Sequence, residues 1–277
     1  MAQRVTRSRR RLEQSENKKY KGFLAFSFFI LISVGFFMAT FMNPSYMERQ
    51  VKKESNAVIV NTKLNDGFNT FAESLGADRA SEQNLLTEEI SEPIAQALID
   101  YTLGFHWFKT DNQGLARRIQ AILVERINDN SSTETKAIKK LINQNKRTAQ
   151  YAIASGFNLT EVTALANAVT LAWLIGGLIV LLGLIMIFSV IHRLRGYLGA
   201  REIIHDLSGA MMWAAAFVIV LFGIVSLIPT FINPEQLFGL GFGLFLEVGS
   251  GVFLELVIVG AVFYVLSTIP WALSNTK

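Results

Sequence analysis

Two acidic residues, Glu247 and Glu255, stand inside a long apolar stretch at residues 237–270, LFGLGFGLFLEVGSGVFLELVIVGAVFYVLSTIP. Taken at every fourth position, the stretch gives Gly239, Gly243, Glu247, Gly251 and Glu255. On a helix these residues lie one above another on one face. Small residues at this spacing let a second helix approach closely inside a membrane, so Gly239, Gly243 and Gly251 are predicted helix-packing positions. A carboxylate at membrane depth is costly unless it is protonated, hydrated or paired. Glu247 and Glu255 are therefore candidates for an ion site, a proton site, or a site for the cation of a partner chain. A plainer alternative puts both in the outer interface, with the glycines only packing helices. Counting about twenty residues back from Trp271 as an inner anchor sets Glu255 just inside the outer boundary and Glu247 above it.

The remaining residues with chemistry are few. His106 lies in Phe105-His-Trp-Phe108, where His106 and Trp107 are a candidate docking surface; the alternative is a loop anchor. His192 and His205 are thirteen positions apart, too far and too few for a metal site. The chain has no cysteine, which excludes disulfides, zinc–thiolate sites and a thiol nucleophile. Gly239-x-Gly-x-Gly243 follows no strand, so it is not a phosphate loop. No serine or aspartate stands in a nucleophile motif. The expectation is a protein that is not an enzyme, with no metal and no cofactor.

These residues are positioned by apolar runs. Of 277 residues, 51% are hydrophobic and only 17% charged, against about a quarter charged in soluble domains. The apolar residues clump at 22–42, 169–191, 209–232 and 249–270. Each run is near the roughly twenty residues needed to cross a hydrocarbon core of about 30 Å. The expected fold is all-α: a four-span integral membrane protein with an extracytoplasmic helical bundle between the first and second spans.

Charge sets the expected orientation. The tail 1–21 holds eight Lys and Arg against two Glu, whereas 43–168 is balanced at fourteen against fifteen acids. The loop 192–208 adds Arg193, Arg195 and Arg201, and Lys277 lies in the tail 271–277. Basic residues favour the cytoplasmic side of short loops. Both termini are accordingly expected in the cytoplasm, with 43–168 and the Gly-rich segment 233–248 outside. The first run is longer than a usual signal core and no clean small-x-small site follows, so it is expected to stay as a signal anchor. The basic tail is a topology signal rather than a nucleic-acid arm, and no nucleic-acid partner is expected. An outer domain without cysteine points to the cell membrane of a bacterium.

The outer segment has helical patterning throughout. Leu64, Phe68, Phe71 and Leu75 form an apolar stripe, on a helix expected to run unbroken over 45–75. Glu92-Pro93 is the expected start of a second helix, since proline suits the first helical position. Leu115, Ile119, Ile122 and Leu123 mark a third helix. Ile138, Leu141, Ile142 and Ala149 mark a fourth. A further helix is expected to begin at 160–161 and continue without a break to 191. Residues 1–21 are expected to be poorly ordered, and the Gly249-Ser-Gly251 region is a candidate break in the last apolar segment.

The functional expectation combines a sizeable outer domain with the lack of a catalytic motif. It is a non-enzymatic scaffold, accessory or regulatory subunit of the cell envelope, resident in the lipid bilayer and bound to other membrane or envelope proteins. The alternative is an oligomeric channel or ion-coupled transporter using Glu247 and Glu255. That version requires a homo-oligomer, because four spans are few for a monomeric pore.

Overall fold

The computed structural model describes the backbone of residues 2–77, 85–128, 131–196, 198–231 and 234–275. It describes their side chains except at 2–18, 54–55 and 228–250. The chain is 86% helix, and no strand occurs among the described residues. The helices are α1 (Ala2–Thr40), α2 (Pro44–Val51), α3 (Glu54–Ser74), α4 (Glu88–Leu103), α5 (Gln113–Arg126), α6 (Thr133–Gln144), α7 (Lys146–Gly156), α8 (Leu159–Leu194), α9 (Ala200–Phe231) and α10 (Pro234–Asn275). Four of them are long and apolar enough to cross a membrane. Their qualifying stretches are Lys19–Thr40, Leu159–Leu194, Ala200–Leu227 and Gly251–Asn275. The protein is a multi-pass membrane protein.

The chain divides into two compact units, Met1–Met38 with Ile175–Lys277, and Ala39–Leu174. In the first, α9 and α10 pack antiparallel: His205 stacks on Trp271 near one end and Phe222 on Phe253 further along. Between those points Gly260 brings the two backbones together. A Cβ there would stand 3.0 Å from both Val218 and Ile219 and 3.3 Å from the Ala215 carbonyl. A second antiparallel pair is α1 with α8, where Leu31 lies over Gly183 and Met38 over Gly176. Leu24, Val190 and Leu194 close a small core with Ile203 and Ala210 of α9.

The second unit is a helical bundle with its own core. The α3 stripe is buried as its spacing requires, with Phe68 and Phe71 wholly enclosed. Ile94, Ile119, Leu123, Ile142 and Ile153 meet them from α4, α5, α6 and α7. Gly156 of α7 crosses Gly67 of α3 so closely that a Cβ on it would lie 2.7 Å from the Gly67 carbonyl oxygen. Asn65 ties in the segment before α4. Its Oδ1 accepts from the Leu86 N–H at 2.7 Å, and its Nδ2 donates to the Leu86 carbonyl at 3.3 Å.

Several expected boundaries shift. The helix expected over 45–75 is two helices, α2 and α3, separated at Lys52–Lys53. Across the break the buried Asn56 donates to the Gln50 carbonyl at 2.8 Å, so a side chain replaces part of the interrupted ladder. The expected fourth helix is likewise divided into α6 and α7 at Asn145, whose φ of −127° and ψ of 50° are not helical. Helix α4 starts at Glu88, five residues before Pro93, which lies inside the helix. Glu88 and Glu89 occupy its first turn, where negative charge suits the helix dipole. At the N-terminus, α1 reaches back to Ala2, where a poorly ordered tail was expected. Helix α8 spans 36 residues, about 54 Å at the usual rise, and so begins and ends close to expectation. Helix α10 continues through Gly249-Ser-Gly251 without a break.

Candidate functional site

Two constellations of side chains carry polar chemistry beside apolar surface, one in each unit. The first lies where α1, the start of α9 and the end of α10 converge. Lys21 Nζ approaches Asp206 Oδ1 at 2.7 Å; the carboxylate side chain is 7% exposed and the ammonium side chain 45%. Next to Asp206, His205 stacks on the Trp271 indole with ring centroids 5.4 Å apart. Ser274 donates to the Trp271 carbonyl at 2.9 Å. His205 Nδ1 lies 3.3 Å from that same carbonyl and 3.2 Å from the Ser274 hydroxyl. Arg201, one helical turn before His205, donates to the carbonyls of Ser274 and Leu273. These side chains hold the end of α10 against α9. Lys21, His205, Asp206 and Trp271 also line one end of a cleft of about 630 Å³ walled by Phe26, Phe29, Trp213, Phe217 and Leu221.

Sequence reasoning passed over this cluster because its parts are remote from one another in the chain. A Lys at 21 and an Asp at 206 show no pairing signal. The stacking of His205 on Trp271 needs the antiparallel docking of α9 and α10, which no local pattern encodes.

The second constellation surrounds the 104–112 loop. His106 Nδ1 lies 2.8 Å from the Trp107 carbonyl and 3.1 Å from the Thr170 hydroxyl on α8. Asn167, one turn earlier on α8, brackets the Lys109 peptide. It accepts from the Lys109 N–H at 2.7 Å and donates to the Lys109 carbonyl at 2.9 Å. Lys109 Nζ donates to the Tyr101 carbonyl at 2.6 Å and lies 3.4 Å from the centroid of the Tyr101 ring. Burial pushes the Lys109 ammonium below the ordinary lysine value. The carbonyl and the ring face act against that by stabilising the charge. The Tyr101 hydroxyl donates to the Asp111 carbonyl at 2.8 Å, closing the loop. His106 is thus half-buried and tied to α8, while Phe105, Trp107 and Phe108 on either side of it are exposed.

Beyond this loop, residues 110–113 with α7 and α8 enclose a cleft of about 570 Å³. Ala116, Ala154 and Ala164 line it with small side chains, and Arg147, Gln150, Tyr151 and Asp111 supply polar groups.

Of the residues singled out in the sequence, Gly239, Gly243 and Glu247 lie on α10 but outside the residues whose side chains are described. Gly251 is exposed, and a Cβ on it would meet nothing within 4 Å. Glu255 is half-buried, one turn beyond Gly251 on the same helix. Among the described residues, α9 and α10 approach closely at Gly260. No group of three or more His, Cys, Asp or Glu is placed to hold a metal among the described residues. No protein-family model, curated protein or solved structure matches the chain.

Proposed function

We propose that the protein is a scaffold, accessory or regulatory subunit of the cell envelope, not an enzyme, and that its helical bundle binds other membrane or envelope proteins. In this reading both termini are cytoplasmic and the bundle is outside. The observation that supports it is the cleft beside α7 and α8. Its small-residue lining leaves room for a partner side chain, and Tyr151, 60% exposed, stands beside Arg147 at its edge. Tyrosine and arginine are, with tryptophan, enriched among the residues that carry binding energy at interfaces.

The test is extraction of the tagged full chain from its own membranes in mild detergent, with mass spectrometry of what remains bound. A stoichiometric protein partner that is lost from the Arg147→Glu/Tyr151→Ala variant is the expected result. A purified chain that moves a solute or turns over a substrate unaided would overturn the reading. Orientation is checked on the same chain, which lacks native cysteine. A cysteine replacing Lys140 should react with an impermeant label from outside, and one replacing Gly199 should not.

A further inference from the structure

We propose that the cleft bounded by α1, α9 and the end of α10 is a binding site for one membrane phospholipid, with its phosphate at Lys21 and an acyl chain along α9. Three observations carry this.

The first is the ordering of polarity along the cleft. Its ionisable groups, Lys21, His205 and Asp206, are all at one end. From there α9 contributes Gly209, Trp213, Phe217 and Leu221, each a helical turn further on, and α1 contributes Phe26 and Phe29. This is the polarity profile of an amphiphile. The second is length. Gly209 to Leu221 is twelve residues, about 18 Å of helix. One leaflet of a hydrocarbon core is about 15 Å, so an acyl chain that starts at the charged mouth ends near Leu221. The volume of about 630 Å³ lies within the range of ligand pockets, roughly 300–1,000 Å³.

The third is charge. The Lys21 ammonium has three donors and remains 45% exposed after one contact with Asp206. Lys21 lines the cleft with donors left over after the Asp206 contact, and basic groups between membrane helices suit anionic head groups. The Asp206 carboxylate holds the Lys21 ammonium at this end of the cleft. The aromatic wall also explains itself in this way. Trp213 and Phe217 are both more than half exposed, with ring centroids 6.2 Å apart, and form an open trough rather than a closed core.

The experiment is native mass spectrometry of the delipidated full chain in micelles, titrated with dioleoyl phosphatidylglycerol and, separately, with dioleoylglycerol. The expected result is one retained phosphatidylglycerol per chain, bound about tenfold more tightly than the diacylglycerol. Gly209→Leu should abolish retention of both. A Cβ at Gly209 would lie 3.7 Å from Trp271, so the substitution is accommodated at its root and fills the trough beyond. Lys21→Met should remove the preference for phosphatidylglycerol while leaving weak binding of both lipids. Because Lys21→Met leaves the buried Asp206 without its cation, Gly209→Leu, which keeps the pair, is the deciding variant. Adducts distributed identically in wild type and Gly209→Leu would overturn the proposal. So would a dimer that forms without lipid and is broken by Gly209→Leu, which would assign the trough to a protein helix.

Discussion

Replacing Gly156 by alanine tests the bundle at the close crossing of α3 and α7. The added Cβ would stand 2.7 Å from the Gly67 carbonyl oxygen, from Phe71 Cβ and from Phe71 N. Ordinary contact begins near 3.4 Å, so α3 and α7 must part by 3.4 − 2.7, about 0.7 Å. Two of the three obstructing atoms are backbone, and Phe71 is wholly enclosed, so rotation of a flexible side chain cannot relieve the overlap. A gap of this size forfeits a quarter to a half of each dispersion contact across the crossing, and overpacking costs about 1–3 kcal/mol. Alanine returns up to about 1 kcal/mol of helix propensity, less at the last residue of α7. The net destabilisation is about 1–2 kcal/mol, or about 5–30-fold in the opening equilibrium. Amide hydrogen exchange of the full chain in micelles reads this locally: protection in α3 and α7 should fall by that factor. Gly114→Ala is the matched control. A Cβ there meets nothing within 4 Å and φ is not positive, so the same change should stabilise α5 by about 0.4–1 kcal/mol. If Gly156→Ala left protection unchanged or raised it, the close crossing of α3 and α7 would be wrong.

Asn65→Ala should cost about 1–3 kcal/mol, because it orphans the Leu86 N–H at a site where Asn65 itself is 1% exposed; urea unfolding against wild type measures it. Gly260→Leu should loosen the α9–α10 pair, since its Cβ already starts 3.0 Å from Val218 and Ile219. A thermal aggregation midpoint in detergent that did not fall would contradict that packing. Two lysines should titrate with opposite signs. Lys109, held below 10.5 by burial, loses its proton earlier in the folded chain than in the unfolded one. Stability relative to Lys109→Met should therefore rise with pH through the window below 10.5. Lys52 is held above 10.5 by its hydrogen bond and then its charge interaction with Glu92. Its stabilisation relative to Lys52→Met should be present below 10.5 and fade as pH rises past its raised value. Urea midpoints across alkaline pH distinguish the two.

The helical class and the four apolar spans were legible because a membrane helix advertises itself by composition over about twenty residues. The stripe on α3 was legible for a similar reason: Leu64, Phe68 and Phe71 repeat at helical spacing and are buried. The breaks were not. Nothing around Lys52 or Asn145 resembles a glycine or proline stop, and the α2–α3 junction is held by a hydrogen bond from Asn56 to Gln50 that only the folded backbone creates. Pro93 misled because proline favours a helix start, yet here it is carried five residues inside α4. The cluster at Lys21, His205, Asp206 and Trp271 was invisible for a different reason. Its members are separated by up to 250 positions (271 − 21), and their meeting is a property of helix packing, which pairs faces rather than motifs.

The double clamp of Asn167 on Lys109 and the contact of Thr170 with His106 fix a collar of aromatic rings at one height on α8. Phe105, Trp107 and Phe108 are exposed on this loop, and its His106 meets α8 at Thr170, where the apolar run 169–191 begins. Aromatic side chains favour the headgroup layer over both water and hydrocarbon. If that layer lies at the start of the apolar run, the three rings would mark the depth of the helix. A piston displacement of α8 by one turn would carry all three rings about 5.4 Å out of their preferred layer at once. The clamp thus couples any movement of α8 along its axis to the three exposed rings of the loop.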